Sequence, residues 1–169
     1  MKKYSLLAAS LVVGVFLGAC GGSKVVNIPG VGSAKVNGSN VTISSGGHSL
    51  AEGTKLPSSF PKAVPLPQGY RVLGVINGSN AASGTSSAST YFEVVVAVTG
   101  APQSAASAYT TQLKSGGFTI SSSGGSSATY AVIAKSGQWS VEAVFGSSGG
   151  YQSQLKSGET GITLTVTSA

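Results

Sequence analysis

The pattern most suggestive of chemistry is Gly146-Ser147-Ser148-Gly149-Gly150, a GxSxG that follows a strand-like stretch and precedes a short helical turn over Tyr151 to Lys156. That is the context in which a nucleophile elbow exposes its serine. With 30 serines and 25 glycines in 169 residues, however, chance alone supplies about 0.7 such matches. A hydrolase of this type also needs an acid and then a histidine downstream of the serine. Only Glu159 follows, and the one histidine, His48, lies far upstream. The chain has no aspartate, and its carboxylate side chains are Glu52, Glu93, Glu142 and Glu159. Glu93 and Glu142 could form the carboxylate pair of a glycosidase, but both fall on strands at outward positions, where they solvate a sheet. His48 has no second histidine or free thiol with which to complete a metal site. No glycine loop of phosphate-cradling type occurs. The single tryptophan, Trp139, opens a strand beside a hairpin and reads as core or rim packing rather than as a stacking platform. These residues predict no catalytic, cofactor or metal site and a protein that is not an enzyme.

The full chain carries +6. Its cations are scattered, with no cluster of the kind that tracks a phosphate backbone, so nucleic acid is not an expected partner. Cys20 is the only cysteine, which excludes an intramolecular disulfide. Few carboxylates also mean little change in surface charge, and so in stability, in acidic surroundings.

The first twenty residues have a clear order. Lys2 and Lys3 form a basic start, Leu6 to Gly18 an apolar run, and Leu17-Gly18-Ala19-Cys20 a small-residue close before the cysteine. The run is too short to span a bilayer core of about 30 Å as an ordinary anchor. This arrangement resembles a bacterial lipoprotein signal with its lipobox, Leu17 being the apolar position and Ala19 the small one. The resemblance implies cleavage after Ala19, thioether-linked diacylglycerol on Cys20, and residence on the extracytoplasmic face of the cell membrane, or on the outer membrane in a Gram-negative source. Gly21 stands where the family places aspartate for inner-membrane retention. Two acyl chains hold a protein where one binds only reversibly, since each buried methylene contributes about 0.8 kcal/mol. Loss of Lys2 and Lys3 with the leader leaves eight basic residues against four glutamates.

Behind residues 1–19, residues 20–56 are rich in Gly, Ser and Asn and predict a flexible tether with a weak hairpin at Asn37-Gly38. Residues 57–69 hold Pro57, Pro61, Pro65 and Pro67. They predict an extended linker along which Phe60, Val64 and Leu66 pack as the chain enters its domain. This stretch is similar to one in small envelope lipoproteins of high-GC Gram-positive bacteria. The composition also resembles the Gly/Ser/Ala-rich lipoprotein antigens of mycobacteria, whose disulfide this chain cannot form.

Residues 70–169 predict a small α+β domain, an antiparallel sheet of five or six strands with one helix on one face; an all-β sandwich is the alternative. Tyr70 to Ile76, Thr90 to Thr99, Phe118 to Ser122, Thr129 to Lys135, Gln138 to Phe145 and Gly161 to Thr167 read as strands. Ser136-Gly137 reads as a two-residue hairpin turn. Pro102 suits a first helical turn, Ala105, Ala108, Tyr109 and Leu113 recur at helical spacing, and Gly116-Gly117 supplies a left-handed stop. Tyr109 to Gly116 is echoed 42 residues later by Tyr151 to Gly158, which reads as coincidence in a low-complexity chain. The expected role is a membrane-attached binding or structural component of the envelope, partnered by an envelope protein or glycan. A hydrophobic-ligand carrier, which needs a cavity between sheet and helix, and a small surface hydrolase are the alternatives.

Overall fold

A computed structural model describes residues 24–28, 32–37, 40–45, 48–80 and 89–168. The fold is α+β, a single antiparallel sheet with one α-helix packed on one face. From residue 71 onward the strands are β5 (Arg71–Asn80), β6 (Ser89–Thr99), β7 (Thr119–Gly125), β8 (Tyr130–Lys135), β9 (Trp139–Phe145) and β10 (Glu159–Ser168), and the helix is α1 (Pro102–Ser115). Their spatial order is β5-β6-β10-β9-β8-β7. β10 therefore lies between β6 and β9, pairing Leu164 with both Val94 and Ala143.

The expected five or six strands describe this part. The sheet continues past β5 into β4 (His48–Gly53), β3 (Asn40–Ser45), β2 (Gly32–Asn37) and β1 (Lys24–Ile28). The stretch expected as a tether thus supplies four antiparallel strands as well as the hairpin at Asn37. That hairpin closes with Asn37 opposite Asn40, and the next with Ser45 opposite His48. Main-chain pairing, which any residue except proline can make, builds these strands where the apolar pattern is sparse.

β6 shows why the sheet has two cores. Its β-branched run suits a central strand. Phe92, Val94, Val96 and Val98 point to the helix side and are buried with Tyr109, Leu113, Phe145, Ile162, Leu164 and Val166. Val95 and Ala97 point the other way and are buried with Leu73 under Tyr151 and Leu155. These last two belong to a 3₁₀ helix, Gly149–Gln154, and the residue after it. Gly74 allows this cover: a Cβ there would lie 2.3 Å from the Tyr151 ring.

α1 starts at Pro102 and ends as expected from its glycines. Gly117 adopts φ +82°, its N–H donates to the Lys114 carbonyl, and the Phe118 N–H donates to the Leu113 carbonyl. This is a Schellman close, with Phe118 and Leu113 both buried at the turn. α1 packs over β7, β8 and β9, and the proline-rich segment covers what it leaves open. There the structure departs from an extended linker. Phe60 N–H donates to the Pro57 carbonyl and Val64 N–H to the Pro61 carbonyl, so the segment makes two consecutive turns. A φ near −65° serves a turn as readily as an extended path. Val64 is buried, Phe60 meets Phe92 edge-on at 5.4 Å, and the buried Tyr109 hydroxyl donates to the Pro65 carbonyl at 2.9 Å. Phe60, Val64 and Leu66 therefore pack as expected, as part of the core rather than ahead of it.

The echoed segments occupy different settings. Tyr109 lies in α1, which carries the chain from β6 to the sheet edge at β7, whereas Tyr151 lies in a 3₁₀ helix joining neighbouring strands β9 and β10, on the opposite face.

Candidate functional site

Cys20, the expected lipid-attachment residue, lies outside the described residues; β1 begins four positions later at Lys24. Among the described residues, the serine of the GxSxG was the first candidate for chemistry. Ser148 is only 3% exposed, and its hydroxyl donates to Gln152 Oε1 at 2.6 Å. Its carbonyl accepts from the Tyr151 N–H, so the residue opens the 3₁₀ helix. Of the motif's glycines, Gly146 is explained by close approach of another chain segment, while a Cβ at Gly150 would meet nothing within 4 Å. Gly146 has φ +82°, and a Cβ there would meet the Ala128 carbonyl oxygen at 2.0 Å. Gly161 faces Ser148 so closely that a Cβ would lie 2.5 Å from the Ser148 Cβ. The motif is a packed corner between β9 and β10, not an exposed elbow.

The glutamates are placed by the register. Glu93 and Glu142 both pair with Thr165, one on each side. They share the face opposite α1, about 10 Å apart at Cα on a sheet with ~4.8 Å strand spacing. Glu142 is exposed on this open face, in the outward position its strand pattern indicates. Glu93 is half-covered and accepts from the Tyr91 hydroxyl at 3.4 Å. Burial, then the charge of Glu93, pushes the Tyr91 phenol upward.

Glu159 starts β10, six residues from Thr165, or about 20 Å along a strand. It accepts from the Lys156 N–H at 2.8 Å and from Arg71 Nη2 at 2.7 Å. The Lys156 amide first, and the guanidinium second, hold its carboxyl below the usual range. Arg71 also donates to the Gln154 carbonyl, so one side chain ties the start of β5 to the end of the 3₁₀ helix and the start of β10. Sequence reading missed this clasp, because its partners are 88 residues apart and only the odd arginine among lysines hinted at a shaped contact.

The main chain at His48 pairs with Asn80 at one end of β4, within the sheet and not in a tether. Trp139 packs at the rim of the main core, as its place beside the Ser136 turn suggests. Among the described residues, no group of three His, Cys, Asp or Glu is placed to hold a metal ion. Ser148, packed against Gly161, and Glu159 both lie near the start of β10, whereas the Glu93–Glu142 row crosses that strand further along, at Thr165.

Among the described residues, two surface grooves bear on the carrier reading. One, of about 340 Å³, runs between Pro67–Gly69, the end of β6 and α1. The other, of about 530 Å³, is formed by the proline-rich segment itself and includes Leu56, Phe60, Lys62, Leu66 and Tyr70. The first opens at the margin where α1 meets the end of β6, and neither enters the space beneath the helix where a carrier would need its cavity: that space is filled by Tyr109, Phe92, Phe145, Leu113 and Ile162, each 1% exposed or less. No described helix is long and apolar enough to cross a membrane. Comparison with protein-family models, with curated proteins and with solved structures finds no match.

Proposed function

We propose that this chain is a lipoprotein of the bacterial envelope, held on the extracytoplasmic face of its membrane by diacylglycerol on Cys20 and serving as a binding or structural component without catalysis of its own. The observation that carries this reading is the order of the first twenty residues: basic start, short apolar run, and Leu17-Gly18-Ala19-Cys20. A non-catalytic role is supported by the use of the ionisable and nucleophilic groups within the fold. Ser148 is a packed corner, and Glu159 is committed to Arg71 and the Lys156 amide. An envelope protein or a glycan is the expected class of partner, and nucleic acid is not.

The experiment is Cys20→Ala expressed in a bacterium that acylates lipoproteins. The natural chain sediments with membranes after a carbonate wash and carries acyl mass; the variant leaves the membrane fraction. A variant that stays bound through the wash refutes the anchor.

A further inference from the structure

We propose that the groove formed by the proline-rich segment is a membrane seat, resting on a bilayer surface that bears anionic headgroups. This inference rests on the lipid anchor at Cys20 and adds the orientation in which the anchored protein stands.

The geometry begins with the leash. Three residues separate Cys20 from Lys24 at the start of β1, four Cα-to-Cα steps and a reach of at most about 14 Å. The first strand of the sheet therefore lies close to the acyl chains, not at the end of a long tether. Lys24 pairs with Val36, Val36 with Val41, and Val41 with Glu52, so the start of β1 and the end of β4 share one row, three strand spacings or about 14 Å apart. Alternation of strand direction makes β1 enter and β4 leave along the same side of this ribbon. The chain coming from the anchor and the segment that builds the groove thus issue from the same edge.

The chemistry of that segment fits a membrane interface. Residues 53–70 hold Lys55 and Lys62 and no carboxylate, and both lysines are exposed. Leu56, Phe60 and Leu66 line the groove half-covered, and Tyr70 at its rim is a large apolar side chain that stands 40% exposed. Tyrosine with an apolar body and a polar tip suits the headgroup level, and lysines beside it meet anionic lipid. An apolar rim with cations and no acids is complementary to such a surface. The outer sheet face, by contrast, mixes charges, with Glu93 and Glu142 alongside Lys135 and the Arg71–Glu159 pair, and has no such complementarity.

Because acylation occupies the only native thiol, an introduced cysteine takes a fluorescent label alone. The acylated full chain with Ser58→Cys, in the groove, or Gln138→Cys, in the turn between β8 and β9, three and four strand positions across the sheet from β5, is labelled and reconstituted into vesicles of phosphatidylglycerol and phosphatidylcholine with a headgroup nitroxide. Acyl mass is measured on the same samples. The seat predicts strong quenching at position 58, little at 138, and weaker quenching at 58 in pure phosphatidylcholine. Each lysine at an anionic surface contributes about a five-fold preference, so Lys55→Glu with Lys62→Glu lowers the seated-to-free ratio by at least about 25-fold while the acylated chain stays on the vesicle. Equal quenching at the two positions, stronger quenching at 138, or no response to the lysine pair overturns the seat and leaves the anchor standing. Absence of acyl mass overturns both.

Discussion

Tyr109→Phe removes a single oxygen and tests whether the proline-rich segment belongs to the folded core. The hydroxyl donates to the Pro65 carbonyl at 2.9 Å from a side chain that is 1% exposed. Without it the carbonyl loses its donor in a setting that admits little water. An unsatisfied partly buried acceptor costs about 1–2 kcal/mol, which for a domain of this size lowers the melting temperature by about 3–10 °C. Val64→Ala acts on the same segment through packing, removing two methyl groups from a site 4% exposed at a cost of about 2 kcal/mol. Both substitutions loosen one docked element, so the double variant should lose less than the sum of the singles. Urea denaturation of wild type, both singles and the double gives the four free energies, and trypsin cleavage at Lys62 reports release of the segment. If Tyr109→Phe melts within about 1 °C of wild type and the Lys62 cleavage rate is unchanged, the segment is a linker and the core ends at β5.

Two further perturbations address the former candidate residues. Gly161→Ala drives a methyl into Ser148 at 2.5 Å and should cost about 1–3 kcal/mol by overpacking, while Ser148→Ala, which removes one internal hydrogen bond to Gln152, should cost about 1 kcal/mol; equal, negligible effects in denaturant melts would show that this corner is not packed as described. Glu159 has its carboxyl held below the ordinary glutamate value of 4.5. The stability it contributes is therefore fully present above that value and lost as pH falls through the folded-state value. Thermal melts should be flat from pH 7 to pH 5 and decline only in more acid buffer, with a shallower decline in Glu159→Gln; a steep fall between pH 7 and pH 5 would contradict this sign.

What the sequence makes legible follows from how local each signal is. Pro102 and Gly116-Gly117 mark α1 because proline at a helix start and a left-handed glycine after its end act within one turn. The alternation in β6 and β10 is strong enough to assign faces, and Ile162, Leu164 and Val166 do point inward. Ser136-Gly137 does join β8 to β9, with Lys135 opposite Ser140. The glycine- and serine-rich stretch before residue 54 gives no comparable face, so the strands that continue the sheet from β5 are legible only at the Asn37-Gly38 turn. The prolines fix φ without revealing whether the chain bends, and Phe92 and Tyr109, the residues against which that segment folds, lie tens of positions downstream. For the candidate site the position is reversed. The GxSxG reads as chemistry locally, and only the long-range approach of Gly161 shows that it is packing.

The place of β10 has a consequence for how the protein is made. β5 and β6 form one ribbon, and β7, β8 and β9 a second, and nothing in the sheet order joins the two except a strand that comes after all of them in the chain. As the polypeptide emerges from its N-terminal side, both ribbons present raw inner margins until residues 159–168 arrive to close the gap. Cooperative locking must therefore wait for the latest strand. A chain so arranged stays open while it is being made and seals only when its last strand is available.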